Sequence, residues 1–452
     1  MPSKFTALLS RLPLNRNYAK ALITGYGLMG VTIVVQLVLV PLYLSHLGKE
    51  KFGVLAMILA ANNYVAIGVG WLSGGMARIM AERAAINDVK GFRSAYAFAK
   101  WLYVGYAILV VLVFWITVPL LIPNALKDIE IVTALLLACL YLILLYEYNA
   151  DRLAFNACHK QSKSNRNEMI GQIIFAVGVL AGLHAEWGLA GVISAQIGGI
   201  FTIRTLAWFY WGKDVYQFAW MKSIPDFRDL WSRVSGKMGR EYVIYGILLL
   251  TLQADVLVLG WLTDPETVAN YYLLWRIPEV IILVFWRIPG SYAPFLIAMD
   301  TREEHDGLQK NYKRGLYFMM AVAGVAALIY GTIGSWVVTI WVGDNAPEGQ
   351  LPYLLAATAM FFLAVSRWPA DIAYSLINTK PLNRIVALEL AAKLTIVLLF
   401  FSTFGYITPI LAVTIVHGLL VFYLYLWLGR NTILFVAKKN GNEDRIIKNG
   451  GN

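Results

Sequence analysis

The sequence predicts an all-α membrane protein with twelve transmembrane helices in two six-helix lobes around a central cavity, both termini cytoplasmic. Three observations lead there. The 452 residues are 59% hydrophobic and 14% charged, with a mean hydropathy of +0.62. Apolar runs longer than about 18 residues recur along the whole chain, which is the mark of bilayer-spanning helices. Lysine and arginine also alternate from loop to loop. With the N-terminus inside, 30 of the 38 basic residues fall in inner segments and their flanks, whereas Lys49, Lys51 and Lys127 alone fall in outer loops. Such a bias sets orientation. The formal charge of +11 is then read as orientation and anionic-lipid contact, with no nucleic-acid partner.

The N-terminal segment 1–20 is read as an interfacial helix, because Phe5, Leu8, Leu9 and Leu12 share one face. It is not read as a cleavable signal, since the apolar run that follows exceeds a signal core. Spans are expected at 21–44, 52–76, 94–122, 129–153, 168–184 and 188–211, forming an N-lobe over 21–211. A cytoplasmic amphipathic connector follows at 212–240. The C-lobe, 241–428, carries spans at 241–262, 267–298, 314–342, 350–377, 382–403 and 407–428, and 429–452 is a cytoplasmic tail. Equal numbers of spans in the halves point to parallel repeats with a cleft between them.

Several motifs carry less than they first suggest. "GYGLMG" (Gly25 to Gly30) matches a dinucleotide fingerprint, but it opens an apolar helix and follows no strand, so close helix packing explains it. The two cysteines, Cys139 and Cys158, make no disulfide framework, and no Cys/His cluster has metal-ligand spacing. No cofactor and no metal is expected. The outer loops are short and contain no nucleophile–base pair and no metal triad, so the chain is not read as an enzyme.

Charges inside the spans are more informative, because each costs about 2.5–3.5 kcal/mol at a helix centre unless paired or hydrated. Arg204 is expected to snorkel to the inner surface. Glu389 with Lys393, and Arg367 with Asp371, sit one turn apart and are expected to neutralise each other. Glu147 and Asp151 lie near the inner mouth of the fourth span, and their role stays open. The stretch "ANYYLLWRIPEVIILVFWRIPGSYAPFLIAM" (Ala269 to Met299) stands apart. Eleven residues separate Arg276 from Arg287, so on an ideal helix they differ by about 20° in direction and about 16 Å in height. Glu279 falls on the same face. Pro278 and Pro289 should free the carbonyls of Leu274 and Phe285. The stripe reads either as a buried ion pair, Arg276 with Glu279 or Asp255, or as the wall of a cavity that receives an anion. Gln36, Asn62, Asn63, Gln253 and Asp255 sit at matching depths on the first two helices of each half, and could line one cleft with it.

The chain resembles the lipid-linked oligosaccharide flippases of bacteria, the Wzx-like polysaccharide branch of the superfamily that also contains multidrug/toxin extruders. The resemblance covers essentially the whole chain. It is carried by "QLVLVPLYLSHLGKEKFGVLAM" (Gln36 to Met57), with its Leu47-Gly48-x-x-x-Phe52-Gly53 outer turn, and by Arg78 in "GMARIMAERAA". The second half departs from the pattern, with "LTDPETVANYY" where a matching turn would stand.

The resemblance implies alternating access at the bacterial inner membrane. It also implies a substrate of undecaprenyl diphosphate bearing a sugar repeat unit for O-antigen, capsule or exopolysaccharide synthesis, with polysaccharide polymerase and chain-length machinery as partners beside membrane lipids. Substrate contacts would then fall to Arg276, Arg287, Gln36, Asn62, Asn63, Gln253 and Arg78, and proton or sodium coupling to Asp255 and Glu279. The alternatives are a multidrug extrusion antiporter on the same fold and a membrane-embedded polymerase or ligase. The net positive stripe has the wrong sign for a cationic drug.

Overall fold

The computed structural model describes residues 16–121, 127–214, 227–235, 255–301, 304–376 and 379–434. Among them the secondary structure is helical throughout. The expectations for residues 1–15, most of the connector, most of the seventh span and the tail beyond residue 434 lie outside the described residues; 429–434 continue the last helix.

The first span runs into the second as one helical stretch, Arg16–Ala85, interrupted only at Gly48 (φ 78°, ψ 168°). That conformation is open to glycine and strained for any residue with a Cβ. Gly48 therefore divides α1 (16–47) from α2 (49–85). Gly53, the second glycine of the outer turn, has a different reason. A Cβ there would overlap the backbone carbonyl of Pro265, so the close approach excludes every other residue.

Four helices follow in the first half: α3 (Val89–Leu121), α4 (Ile129–Ala157), α5 (Gln161–His184) and α6 (Gly188–Asp214). Asp88 caps α3 by accepting from the Gly91 amide at 2.9 Å, and Asp128 caps α4 through the Glu130 and Ile131 amides. α5 begins seven residues earlier than the sequence suggests, because its first two turns are polar and bury Ser164, Asn165 and Asn167 against neighbouring helices. Small residues bring α5 and α6 close together. A Cβ at Gly182 would press on the Gly191 backbone, and one at Gly171 on Ile203 and Gly199. A short helix, α7 (Phe227–Ser235), follows, and its Phe227 ring meets Phe98 edge-on at 5.2 Å.

The second half contains α8 (255–262), α9 (Pro265–Thr301), α10 (His305–Val342), α11 (Leu351–Ser375) and α12 (Thr379–Phe404). After the turn Gly405–Ile407 comes α13 (408–434). It opens with an α-segment, Thr408–Val416, and then takes one π-helical turn, His417–Val421.

Nine stretches among the described residues are long and apolar enough to cross a membrane. Two of these, Ile23–Ala60 and Lys380–Leu434, each contain a glycine of positive φ, Gly48 and Gly405. Exposure is inverted relative to a water-soluble protein. α10 turns Phe318, Val325, Leu328, Ile329, Trp336 and Ile340 outward. Lipid is the solvent that accepts such a face. The protein is a multi-pass membrane protein.

The chain divides into two compact units. The first is Met1–Gln253 with Gly260–Pro265, and the second is Ala254–Leu259 with Glu266–Asn452. Phe92, Phe98, Tyr103, Leu142, Tyr146 and Phe155 centre the core of the first unit. Phe285, Tyr312, Met319, Val365, Trp368 and Phe422 centre one in the second.

Candidate functional site

Each unit buries charge within its helices. In the first, Lys100 of α3 is 2% exposed and its ammonium donates to Glu147 and, at 2.8 Å, to Asp151, both on α4. The Tyr96 hydroxyl donates to the other Asp151 oxygen at 2.6 Å. Arg204 of α6 closes the group, with its Nε 2.6 Å from Glu147. Arg204 therefore pairs across helices instead of simply reaching the surface. Two cations meet two anions, and the open question about Glu147 and Asp151 is answered by pairing. Lys100 lies inside the third expected span, amid "YAFAKWLYV", one turn or two beyond a basic inner loop.

In the second unit Lys393 of α12 is 2% exposed and lies 2.8 Å from Asp255 of α8. The Tyr271 hydroxyl also donates to Asp255, at 2.6 Å. Lys393 thus pairs with Asp255, and Glu389 turns elsewhere. Its Oε1 lies 3.0 Å from His417 Nε2, and its Oε2 accepts from the Tyr425 hydroxyl at 2.9 Å. Helical spacing puts Glu389 and Lys393 on one face, but each finds a geometrically better partner on a neighbouring helix. Arg367 and Asp371 do pair as expected, at 2.8 Å, and the Arg367 guanidinium lies over the Trp286 ring at 4.7 Å.

The charged stripe lies on α9. Arg276 is buried, donates from Nη1 to Glu279 at 2.8 Å, and lies over the Tyr272 ring at 5.4 Å. Arg287 is exposed and forms no ion pair among the described residues. Both lie within the membrane-capable stretch Pro265–Pro289. Their common direction does not give them common burial, because rotation fixes which way a side chain points while its neighbours change over about 16 Å of axis. The carbonyl of Leu274, left without an amide by Pro278, accepts from the Tyr330 hydroxyl of α10 at 2.7 Å. This is how a membrane helix tolerates an interior proline.

The other sequence-selected residues are spread through the chain. Gln36 is half-buried on α1. Asn62, Asn63 and Arg78 are on the α2 backbone, with their side chains outside the described residues, as is Gln253. Gln36, Asn62, Asn63 and Arg78 belong to the first unit, and Arg276, Arg287, Asp255 and Glu279 to the second. Of all these, the structure brings together Arg276 and Glu279. His417 and Tyr425 were not foreseen, since nothing local marks a partner 28 or 36 residues away.

No family model matches the chain, and no curated protein matches its sequence. Solved structures do match. An inward-facing multidrug resistance MATE family transporter of the MOP superfamily aligns with 91% of this chain and 95% of its own, at a TM-score of 0.65 and 12% identity. The lipid II flippase MurJ, in an inward closed conformation, aligns over 96% of this chain and 93% of its own, at 0.64 and 10%. A MOP superfamily transporter from Pyrococcus furiosus, described as having a binding pocket of reverse polarity, aligns over 92% and 96%, at 0.61 and 13%. The fold is that of MOP superfamily transporters, along nearly the full length of the chain.

Proposed function

We propose that this protein is a flippase that moves an undecaprenyl-diphosphate-linked oligosaccharide from the cytoplasmic to the outer leaflet of the bacterial inner membrane by alternating access. In this reading it has twelve spans with both termini inside, and it supplies surface polysaccharide synthesis, beside a polymerase and chain-length machinery. The fold supports a transporter, and one neighbour on that fold is a lipid II flippase. It does not choose between a lipid-linked substrate and a drug, since a multidrug transporter aligns equally well.

The observation that carries the choice is the charge on α9. Two guanidinium groups share its face with one carboxylate, and the exposed Arg287 has no ion pair among the described residues within a membrane-capable stretch. A guanidinium there needs water or an anion. A diphosphate is a compact, multiply negative group, and the planar guanidinium fork matches its oxygens better than an ammonium does. Arg276, held by Glu279, would lend field to the site, and Arg287 would make the direct contact. Gln36, Asn62, Asn63, Gln253 and Arg78 are the proposed contacts for sugar and phosphate. Asp255 and Glu279 are already engaged by Lys393 and Arg276, which weakens both as exchangeable ion carriers. The role is transport and not catalysis.

Flipping of a fluorescent polyprenyl-diphosphate glycan in proteoliposomes tests the proposal. Arg287→Ala should abolish it and Arg287→Lys should restore only part. Full flipping by Arg287→Ala would overturn the diphosphate contact. Efflux of organic cations by the wild type, without flipping, would establish the extruder instead.

A further inference from the structure

Two exposed histidines meet at one end of the first unit. His46 stands two residues before the Gly48 turn that ends α1, and His184 is the last residue of α5. Their ring centroids are 5.8 Å apart and their planes tilt by 39°. The helices that carry them run side by side in one direction. Near their starts, Asn165 of α5 donates to the Ala21 carbonyl and the Thr24 hydroxyl of α1, each at 3.1 Å. At their far ends the two rings share no hydrogen bond among the described residues. Trp187, exposed just beyond His184, is the kind of side chain that settles at a membrane–water interface.

The surroundings hold the pair in place. Glu130 of α4 lies 2.5 Å from Lys51, just past the first turn. Its other oxygen accepts from the Leu189 amide, just past the second turn, at 2.9 Å. Gly188 is required by the same contact, since a Cβ there would overlap Glu130 Oε1. One carboxylate thus fastens the α1–α2 turn to the α5–α6 turn, and the two rings flank that fastening.

The hydrogen bonds of His46 prepare it as a ligand. Its Nδ1 lies 2.9 Å from the Leu42 carbonyl, which can only accept, so Nδ1 carries the ring proton. Ser45 Oγ, 3.0 Å away, shares that N–H. Nε2 therefore keeps its lone pair. A backbone carbonyl on the far nitrogen is the usual support of a metal-binding histidine, because it fixes the tautomer and raises the basicity of the ring. An ion about 2 Å from one nitrogen of each ring lies about 3 Å from each centroid, so two such rings have centroids about 5–6 Å apart. The pair has that separation. We propose that His46 and His184 form a two-histidine site for a divalent transition ion of the zinc class, stapling α1 to α5 at this end. No third His, Cys, Asp or Glu joins them among the described residues, so water or a ligand from solution completes the coordination. Imidazole nitrogen selects zinc, nickel or copper, whereas magnesium and calcium take oxygen ligands. Sequence spacing does not reveal the site, because its two members come from different helices. In the orientation proposed above it faces the outside, but the site itself depends on neither that orientation nor any substrate.

The test uses the full-length protein without a polyhistidine tag, stripped with chelator and held in lipid nanodiscs. Zinc chloride is titrated calorimetrically, with nickel chloride as a second probe and magnesium chloride as the control. One zinc ion per chain is expected, with no competition from magnesium. His46→Ala should weaken binding by about 10-fold or more, since losing a ligand costs at least as much as losing its supporting hydrogen bond. His184→Phe keeps a ring against His46 and removes the ligand, so it should lose binding equally. His184→Cys should restore zinc binding, because thiolate is a zinc ligand. A role in ring stacking alone would give the opposite order, spared by Phe and lost with Cys. Amide exchange over 42–47 and 180–184 should slow several-fold with zinc in the wild type and stay unchanged in His184→Phe. Zinc uptake confined to the wild type and His184→Cys, with slowed exchange at both helix ends, establishes the staple. No uptake by the wild type, equal affinity in His46→Ala and His184→Phe, or uptake that leaves both helix ends exchanging as before overturns it.

Discussion

The buried charges of the first unit and those of the second are built on different principles. Around Lys100, two permanent cations meet two carboxylates on adjoining helices, with Tyr96 completing the shell. Nothing in that group needs to change its protonation to be balanced. The second unit has equally firm pairs in Asp255–Lys393 and Arg367–Asp371. It also holds Glu389 against His417 and leaves Arg287 exposed on α9. The first unit's cluster is a clamp. The second unit's charges are divided between clamps, a carboxylate held by a histidine and a tyrosine, and an exposed guanidinium. Buried pairs in general hold a fold more by the penalty for breaking them than by their net attraction, so the two kinds can be told apart by mutation.

The sharpest break is Lys393→Met, which abandons Asp255 in the interior. A loss of about 3–5 kcal/mol is expected, read as reduced folded yield and a lower unfolding temperature in detergent. The double variant Lys393→Met/Asp255→Leu should recover most of it, because the orphaned charge is gone. Lys100→Met should be milder than Lys393→Met, since Arg204 remains to hold Glu147; an equal loss would mean Arg204 contributes nothing to the clamp. Tyr425→Phe removes one donor to Glu389 and should cost about 1–3 kcal/mol. Arg287→Ala should change stability by less than about 0.5 kcal/mol while removing transport, and a large loss of stability there would make Arg287 one more clamp. Smallest of all is a loop effect outside the membrane. The Gly91 amide first, and the Arg83 guanidinium after it, hold the Asp88 carboxyl below its usual range. A carboxylate depressed in the folded state contributes stability above its unfolded value, and that contribution is lost as pH falls through the folded one. Asp88→Asn should therefore flatten a shallow acid limb in the unfolding temperature between pH 2 and pH 5, measured as a pH series.

The same contrast explains what could be read in the sequence. Helices and their turns were legible because hydropathy, the Gly48 turn and the basic inner loops are local signals. So were Arg276–Glu279 and Arg367–Asp371, at three and four residues' spacing on one helix. The carbonyl freed at Leu274 was legible too, since Pro278 alone dictates it, although the Tyr330 hydroxyl that fills it was not. Asp255 and Lys393 lie 138 residues apart, and Glu389 looked satisfied by a lysine one turn away. Partner choice among buried charges depends on which helices adjoin and at what depth, and a helical wheel contains neither. Lys100 was hidden by its closeness to a basic loop. The π-turn at His417 has no marker in the residues that form it.

The most direct test of the account is native mass spectrometry of the protein drawn gently from its own host membrane, comparing wild type with Arg287→Ala. The account predicts a bound polyprenyl-diphosphate oligosaccharide on the wild type, lost in a variant that remains folded, with the mass naming the glycan. The same lipid-linked glycan at equal occupancy on both would contradict the role given to Arg287.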